Sequence, residues 1–290
     1  MALPSSGAIS FSAIQTEFGG SNPISLSEYY RNGLYVTSNN TGVPTSGVIS
    51  LSNFYNAVKQ FQFTISSNLS SGQDLRTLAL SAGWNGTDPV LCINNAIISG
   101  NSSFTPALTV SGSFPGGVIL KNNSYIIGMG GAGGNGNSFL GGSGGIALRA
   151  TVAVSVDNTS AYICGGGGGG GGGTAGGTGG RLGGGGGGGG GRGGLVNSAG
   201  GIGGTAPWYP GFDGTVGSFS AAGVGGAAGY APWGGAGGNG GDWGTTGSIG
   251  FVGADPSYQS SGSGGFPGPA VQGDSFITWI ATGNRLGAIT

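Results

Sequence analysis

The stretch Ile163-Cys164-Gly165-Gly166-Gly167-Gly168-Gly169-Gly170-Gly171-Gly172-Gly173-Thr174, followed by a second unbroken glycine run at 183–191, decides how this chain can fold. Shorter glycine clusters sit at 141–145, 176–180, 200–204, 223–229 and 234–241. Of the 75 glycines, 60 lie between Gly128 and Gly273, so the whole-chain composition describes no single domain. A flexible linker is one reading, because ordering glycine costs more backbone entropy than ordering any other residue. Collagen requires strict Gly-X-Y with abundant proline, and runs of nine glycines with 12 prolines in the chain do not fit it. A phosphate-binding loop requires a glycine turn leading into Lys-Ser or Lys-Thr and a helix, and neither run leads there.

The remaining reading is a bundle of polyproline-II-type glycine helices. Without Cβ atoms, neighbouring backbones approach closely enough for N–H···O and Cα–H···O contacts. At 3.1 Å per residue, nine glycines make a rod about 28 Å long. Two features favour this over a coil. The tract is poor in charge and serine, and the segments between its runs carry Trp208, Tyr209, Phe212, Phe219, Tyr230, Trp233, Trp243, Phe251 and Tyr258. Flexible linkers seldom hold so many aromatics.

Outward from this tract, residues 59–127 read as β-structure. Phe61-Gln62-Phe63-Thr64-Ile65 alternates with period two. Further strands are expected at 75–80, 90–98, 107–110 and 118–127, with turns at Asn85-Gly86, Ser99-Gly100 and Pro115-Gly116-Gly117. Two more are expected within 146–163, around Asp157-Asn158, and another at 275–280. The last strands are expected to return to this β-domain, making the glycine zone, 128–273, a long excursion from it.

Residues 1–58 carry a repeat: Ile9-Ser10-Phe11-Ser12, Ile24-Ser25-Leu26-Ser27 and Ile49-Ser50-Leu51-Ser52. Each serine can cap a short helix. Ser12 with Gln15, and Ser25 with Glu28, have capping-box spacing. Short helices are expected at 12–18, 27–31 and 52–59. The fold class is therefore mainly β plus a polyglycine-II helix bundle, with a small N-terminal region of short helices. That region reads either as a self-contained mini-domain or as a docking domain, with Phe11, Ile14, Phe18, Leu26, Tyr29, Tyr30, Phe54 and Tyr55 as contact candidates. Docking is favoured because so small a unit is hard to stabilise alone.

Charge and chemistry exclude several classes. Charged residues are 6% of the chain, against about 25% in ordinary globular proteins. The net charge of −1, with basic residues scattered from Arg31 to Arg285, leaves no cluster for nucleic acid. No apolar stretch approaches the roughly 20 residues of a membrane span. The opening Met1-Ala2-Leu3-Pro4 lacks the basic and apolar regions of a secretory signal. The chain contains no histidine, the commonest general base and metal ligand. Cys92 and Cys164 are too few and too distant for a zinc site, and read as buried free thiols, with a bridge between them as the alternative. Carboxylates that could form a glycosidase pair are Asp74, Asp88, Asp157, Asp213, Asp242, Asp255 and Asp274. Nearly all adjoin Gly, Asn or Pro, where Asp commonly serves a turn. No enzyme, metal or cofactor is expected.

Asn122-Asn123-Ser124-Tyr125-Ile126-Ile127-Gly128, running into Gly130-Gly131-Ala132-Gly133-Gly134, resembles the approach to the glycine domain in tail proteins of tailed phages. Ala82-Gly83-Trp84-Asn85-Gly86 and the ending Ile277-Thr278-Trp279-Ile280-Ala281-Thr282-Gly283-Asn284-Arg285-Leu286-Gly287-Ala288-Ile289 resemble the same family, and Leu3-Pro4-Ser5-Ser6-Gly7 with the repeated Ile-Ser-x-Ser resembles phage virion structural proteins. The resemblance implies a virion tail protein, assembled in the host cytoplasm, whose glycine domain is similar to the polyglycine-II sandwich of receptor-recognising adhesins at long-tail-fibre tips. It implies other tail or fibre proteins as partners at the N-terminal region, and a host surface protein or glycan at the loops. It is compatible with a homotrimer or one copy on a trimeric fibre. Those adhesins attach through a different N-terminal domain. The nine aromatics named above become the receptor-contact candidates, with Trp208-Tyr209-Pro210 and Tyr230-Ala231-Pro232-Trp233 foremost because proline stiffens the loop. The alternatives are a purely structural tail or baseplate component and, from another class, an ice-binding protein, which regular threonine or alanine ranks would mark.

Overall fold

The computed structural model describes residues 3–37, 39–137, 139–177, 183–206, 208–254 and 260–290. The chain divides into two compact units: Met1–Phe63 with Ala79–Cys92 and Ser113–Ile119, and Thr64–Leu78 with Ile93–Gly112 and Leu120–Thr290.

In the first unit, helix α1 spans Phe11–Phe18, and 3-10 turns span Leu26–Tyr29 and Leu51–Phe54. The first serine of each repeat copy takes the N-cap: Ser10, Ser25 and Ser50. Each also hydrogen-bonds the second serine, at 2.9, 2.6 and 2.9 Å. The capping expectation is therefore shifted. Ser10, not Ser12, accepts from the N–H of Ala13. It is Asn53, not Gln15 or Glu28, whose side chain reaches back to its N-cap nitrogen, at 2.8 Å on Ser50. The second and third elements stop after one 3-10 turn, shorter than expected. Ile14, Phe18, Tyr29, Val36, Val43 and Phe54 form the core, with Phe18 and Tyr29 edge-on to Phe54. The start and end of this region are tied together by Leu3 N–H on Ala57 O (2.9 Å) and Asn56 N–H on Pro4 O (3.1 Å).

The strands are β1 (Phe61–Ile65), β2 (Gln73–Asp74), β3 (Val90–Asn94), β4 (Ile97–Ser99), β5 (Leu108–Val110), β6 (Val118–Asn122), β7 (Tyr125–Ile127), β8 (Leu148–Ala150), β9 (Val154–Asp157), β10 (Tyr162–Cys164), β11 (Val271–Gln272), β12 (Ile277–Ala281) and β13 (Asn284–Leu286). They form three sheets, ordered β1-β3-β6-β9-β12, β13-β10-β7-β4 and β11-β8-β5-β2. Along the chain, β3-β4-β5, β6-β7-β8 and β9-β10-β11 each visit the three sheets in turn. In the second unit the pairings β4/β7/β10/β13 and β2/β5/β8/β11 are all parallel. This is a parallel coil, and its strands alternate buried and partly exposed residues as such a wall requires.

A buried asparagine ladder runs across successive turns of the coil. Asn94 donates to Asn122 Oδ1 at 2.8 Å, and Asn122 donates to Asn158 Oδ1 at 2.7 Å. Asn158 then donates to Thr282 O at 2.9 Å. An amide both donates and accepts, so it can be stacked indefinitely at a corner where backbone polar groups turn inward.

One expected strand is a helix. Residues 75–80 lie in α2 (Leu75–Ser81). Asp74 Oδ1 accepts the N–H of Thr77 at 2.9 Å, a cap on the first turn. Leu75 and Ala79, one helical turn apart, are both fully buried.

The chain leaves the coil between β7 and β8, through 128–145, and again between β10 and β11, through 165–268. Both excursions are glycine rods packed side by side. In the run 165–173, successive N–H groups point in three directions. Gly165, Gly168 and Gly171 donate to Leu286, Thr245 and Ser248. Gly166, Gly169 and Gly172 donate to Gly145, Gly142 and Phe139. Gly167, Gly170 and Gly173 donate to Arg192, Gly189 and Gly186. Its carbonyls accept from three other segments: 131–137, 235–241 and 262–268. The run 183–191 is enclosed in the same way, donating towards 209–215, 131–137 and 235–241 and accepting from 198–204, 223–229 and 167–173. These two runs are the unbroken ones because each has a neighbour on every side. A Cβ at Gly168 would lie 1.8 Å from Gly265 O, and one at Gly187 would lie 2.0 Å from Gly201 O. Peripheral segments repeat Gly-Gly-x or Gly-x-x, and side chains such as Ile202, Val224 and Ile249 point into solvent.

Candidate functional site

The rods run alternately away from and back towards the coil, so their connections fall at two ends. Turns at 193–198, 218–222 and 242–245 lie at the coil end. Among the described residues, 137 and 139, 174–177, 205–206 with 208–210, 229–234 and 253–254 lie at the far end. This sorts the nine aromatics that the sequence singles out.

Phe219 and Trp243 lie at the coil end. Trp243 is 9% exposed. It packs on Tyr125 and Phe219, while Tyr125 stacks on Tyr162 with ring centres 4.9 Å apart. Its indole N–H donates to Gly193 O at 3.1 Å. The Arg192 guanidinium lies 3.6 Å over its ring and pairs with Asp242 at 2.8 Å. Burial alone would raise the Asp242 pKa, but hydrogen bonds from Arg192 and the Trp243 N–H, with the Arg192 charge, lower it on balance. Trp243 is thus buried where rods join strands and Phe219 is half-buried beside it, so neither stands at the far end with the other candidates.

Phe212 and Phe251 stand on peripheral rods, 62% and 63% exposed, on the flanks rather than the tip. Trp208, Tyr209, Tyr230 and Trp233 share the far end. Trp208 is 70% exposed, and Tyr209 stacks on Tyr230 with centres 4.8 Å apart. The loops are anchored by backbone. Tyr209 O accepts from Gly184 N–H at 2.8 Å, and Pro232 O accepts from Ala254 N–H at 2.7 Å. The Ala231–Pro232 bond is cis. Tyr258 lies outside the described residues. Exposed Phe139 and Leu140 belong to the same end. Neither is among the aromatics that the sequence singles out between the glycine runs.

Of the N-terminal candidates, Ile14, Phe18, Tyr29 and Phe54 are buried in their own unit's core and offer nothing to a partner. Phe11 is exposed, and Leu26, Tyr30 and Tyr55 are half-buried. The Tyr30 hydroxyl donates to Gly47 O and that of Tyr55 to Gly7 O. Leu34 and Val48, which the sequence reading passed over, are nearly fully exposed on this unit.

Most of the carboxylates that could have formed an acid pair serve local structure. Asp74 caps α2, Asp157 accepts from the N–H and hydroxyl of Thr159, Asp213 accepts from Gly203 N–H, Asp242 holds Arg192, and Asp274 accepts from the Trp279 indole. The Thr159 hydroxyl is the main cause of a lowered Asp157 pKa. Asp255 lies outside the described residues. Among the described residues no group of three potential ligands could hold a metal, and no helix is long and apolar enough to cross a membrane. Cys92 and Cys164 are free and buried, and burial pushes both thiols up to about 12.

No curated protein matches the chain. Its fold is similar to a chain in the crystal structure of the gp37–gp38 adhesin tip complex of the bacteriophage S16 long tail fiber. The identity is 25%, the TM-score is 0.58, and the match covers 99% of this chain and 100% of that one. The family model of the phage tail fibre adhesin Gp38 matches residues 60–290, which take in the coil and the whole glycine lattice. The chain belongs to the phage tail fibre adhesin Gp38 family.

Proposed function

We propose that this adhesin sits at the tip of a tail fibre and touches the host surface with the far-end loops of its glycine lattice, led by Trp208, Tyr209, Tyr230 and Trp233. The observation that carries the reading is the sorting of loops. Among the described residues the lattice brings 208–210 and 229–234 together at the end remote from the coil, and it leaves Trp208 70% exposed there beside the Tyr209–Tyr230 stack. Aromatic rings with a polar handle dominate binding hot spots. The rods themselves we take as polyglycine-II helices, supported by donation that rotates through three directions every three residues. A host surface protein or glycan is the receptor class. The fibre partner is a shaft protein of the kind that gp37 is in the S16 complex, met through the N-terminal unit, where Phe11, Leu34 and Val48 are exposed. One copy per fibre tip fits a lattice whose internal rods find all their hydrogen-bond partners within one chain. No turnover of the receptor is part of this reading, and assembly takes place in the host cytoplasm.

The test is exchange of loops 205–210 and 229–234 with those of a related phage of different host range. Transfer of host range with the loops is the expected outcome. Unchanged host range, with the exchanged protein still on the virion, would sink the reading and leave a purely structural tail component.

A further inference from the structure

We propose that the adhesin carries a second ligand site, on the flank of the lattice beside the coil, for a neutral saccharide ring. A cavity of about 460 Å³ lies between the loop 101–104 and the rod surfaces 129–132 and 142–143. Its wall ends in Phe104, whose ring is 89% exposed. The loop is fixed. Phe104 N–H donates to Ser102 Oγ at 3.1 Å. Behind it the backbones touch: a Cβ at Gly145 would lie 2.9 Å from Ser102 O, and one at Gly100 would lie 3.2 Å from Met129 N.

The chemistry of the lining selects the ligand. It contains no Asp, Glu, Lys or Arg, so it offers no counter-charge to a phosphate or an ammonium group. It combines an aromatic face and the Met129 thioether with the Asn101 amide and the hydroxyls of Ser102, Ser103 and Ser143. Ala132 and Ser143 are exposed residues whose N–H groups have no acceptor among the described residues. Elsewhere at the lattice edge such groups are answered by side chains, as Ile202 N–H is by Asn135 and Gly225 N–H by Asn239. A lining of glycine and alanine backbone with one aromatic ring, an amide and several hydroxyls fits a pyranose, which presents one apolar face and an equatorial rim of hydroxyls. A hydrocarbon would leave those polar groups unanswered. Pockets of this kind bind through an apolar contact plus a few placed polar groups.

The site is separate from the far-end loops. It depends on the adhesin reading only for the occasion on which sugar is met. Saturation-transfer NMR on the whole chain, with the methyl glycosides of glucose, galactose and N-acetylglucosamine as probes, tests it. Transfer to at least one glycoside is expected. Phe104→Ala, a change at an exposed position, should weaken it about tenfold, and Ser143→Tyr, which fills the cavity, should abolish it. Trp208→Ala should leave it unchanged. No transfer from any of the three probes, or transfer indifferent to Phe104→Ala and Ser143→Tyr, overturns the proposal. Transfer lost only in Trp208→Ala assigns the sugar to the far-end loops, overturning this site while leaving the receptor reading intact. Conversely, failure of the loop exchange does not touch the Phe104 result.

Discussion

A single methyl group separates a rod that fits this lattice from one that does not. At Gly168 the hydrogen replaced by a methyl faces Gly265 O, where a Cβ would stand 1.8 Å away, against backbone rather than a movable side chain. The neighbour cannot yield without breaking its own hydrogen bonds, since Gly265 N–H is held by Gly169 O and Gly265 O by Gly247 N–H. Gly168→Ala is expected to destabilise the protein by about 3 kcal/mol or more. Gly117→Ala, where φ is +85° but the space is open, should cost only about 1 kcal/mol of backbone strain. Thermal unfolding of the two variants beside the parent decides it, and similar melting temperatures would show that the rods are not in contact. The same residue scale shows where sequence reading stops. Trp208 and Trp243 look alike in the sequence, each a tryptophan beside short glycine clusters. One is exposed and the other is sealed under Arg192, because they stand at turns of opposite parity. That parity was open to counting, but only once each glycine cluster had been recognised as a full traverse.

Elements were legible where local chemistry and tertiary context agree. The alternation in β1 and the caps of the N-terminal repeat could be read, with Ser25 at its N-cap as expected and the first helix capped by Ser10 instead of Ser12. The strand expected at 75–80 failed because apolar residues at 75, 78, 79 and 80 suit either period, and the deciding signal was Asp74 at the N-cap. The three-sheet coil was not foreseen at all. Parallel pairing joins residues far apart in sequence, such as Val154 with Ile277, and leaves no hairpin signal between them. Its one visible mark is the set Asn94, Asn122 and Asn158, each at or next to a strand end, which reads as three ordinary turn residues until their amides are found stacked. Asn122 sits in the middle, accepting from Asn94 and donating to Asn158. Asn122→Ala would leave an Asn94 donor and an Asn158 acceptor buried and unanswered, and is expected to cost about 2–4 kcal/mol. Urea unfolding should show the midpoint falling with an unchanged slope. A loss below about 0.5 kcal/mol would mean that water takes the place of the amide and that the ladder contributes little.

For the whole molecule, the question is whether a chain with so few side chains in its interior is held as firmly as a conventional core. Hydrophobic burial contributes little inside the lattice, because glycine has almost no apolar surface to remove from water. Order must come from backbone hydrogen bonds in three directions and from close Cα packing, set against the high entropy cost of fixing glycine. Such bonds are each weak in water, about 1 kcal/mol net, but no N–H in the two nine-glycine runs can open by itself. Gly170 N–H donates to Gly189 O, while Gly170 O accepts from Gly134 N–H, and Gly134 O in turn accepts from Gly188 N–H. Opening one rod therefore disturbs its neighbours, and the runs should exchange only in a cooperative event. Hydrogen–deuterium exchange gives the contrast. Peptides spanning 165–173 and 183–191 are expected to stay protected for hours, as slowly as the strands β7 and β10 that feed them, whereas a Gly-rich coil of the same composition exchanges within about a second. The flanking connections at 205–210 and 229–234 should exchange early. Exchange of both nine-glycine runs in the first time point would refute the lattice, and with it the rigid platform on which the receptor reading of the far-end loops depends.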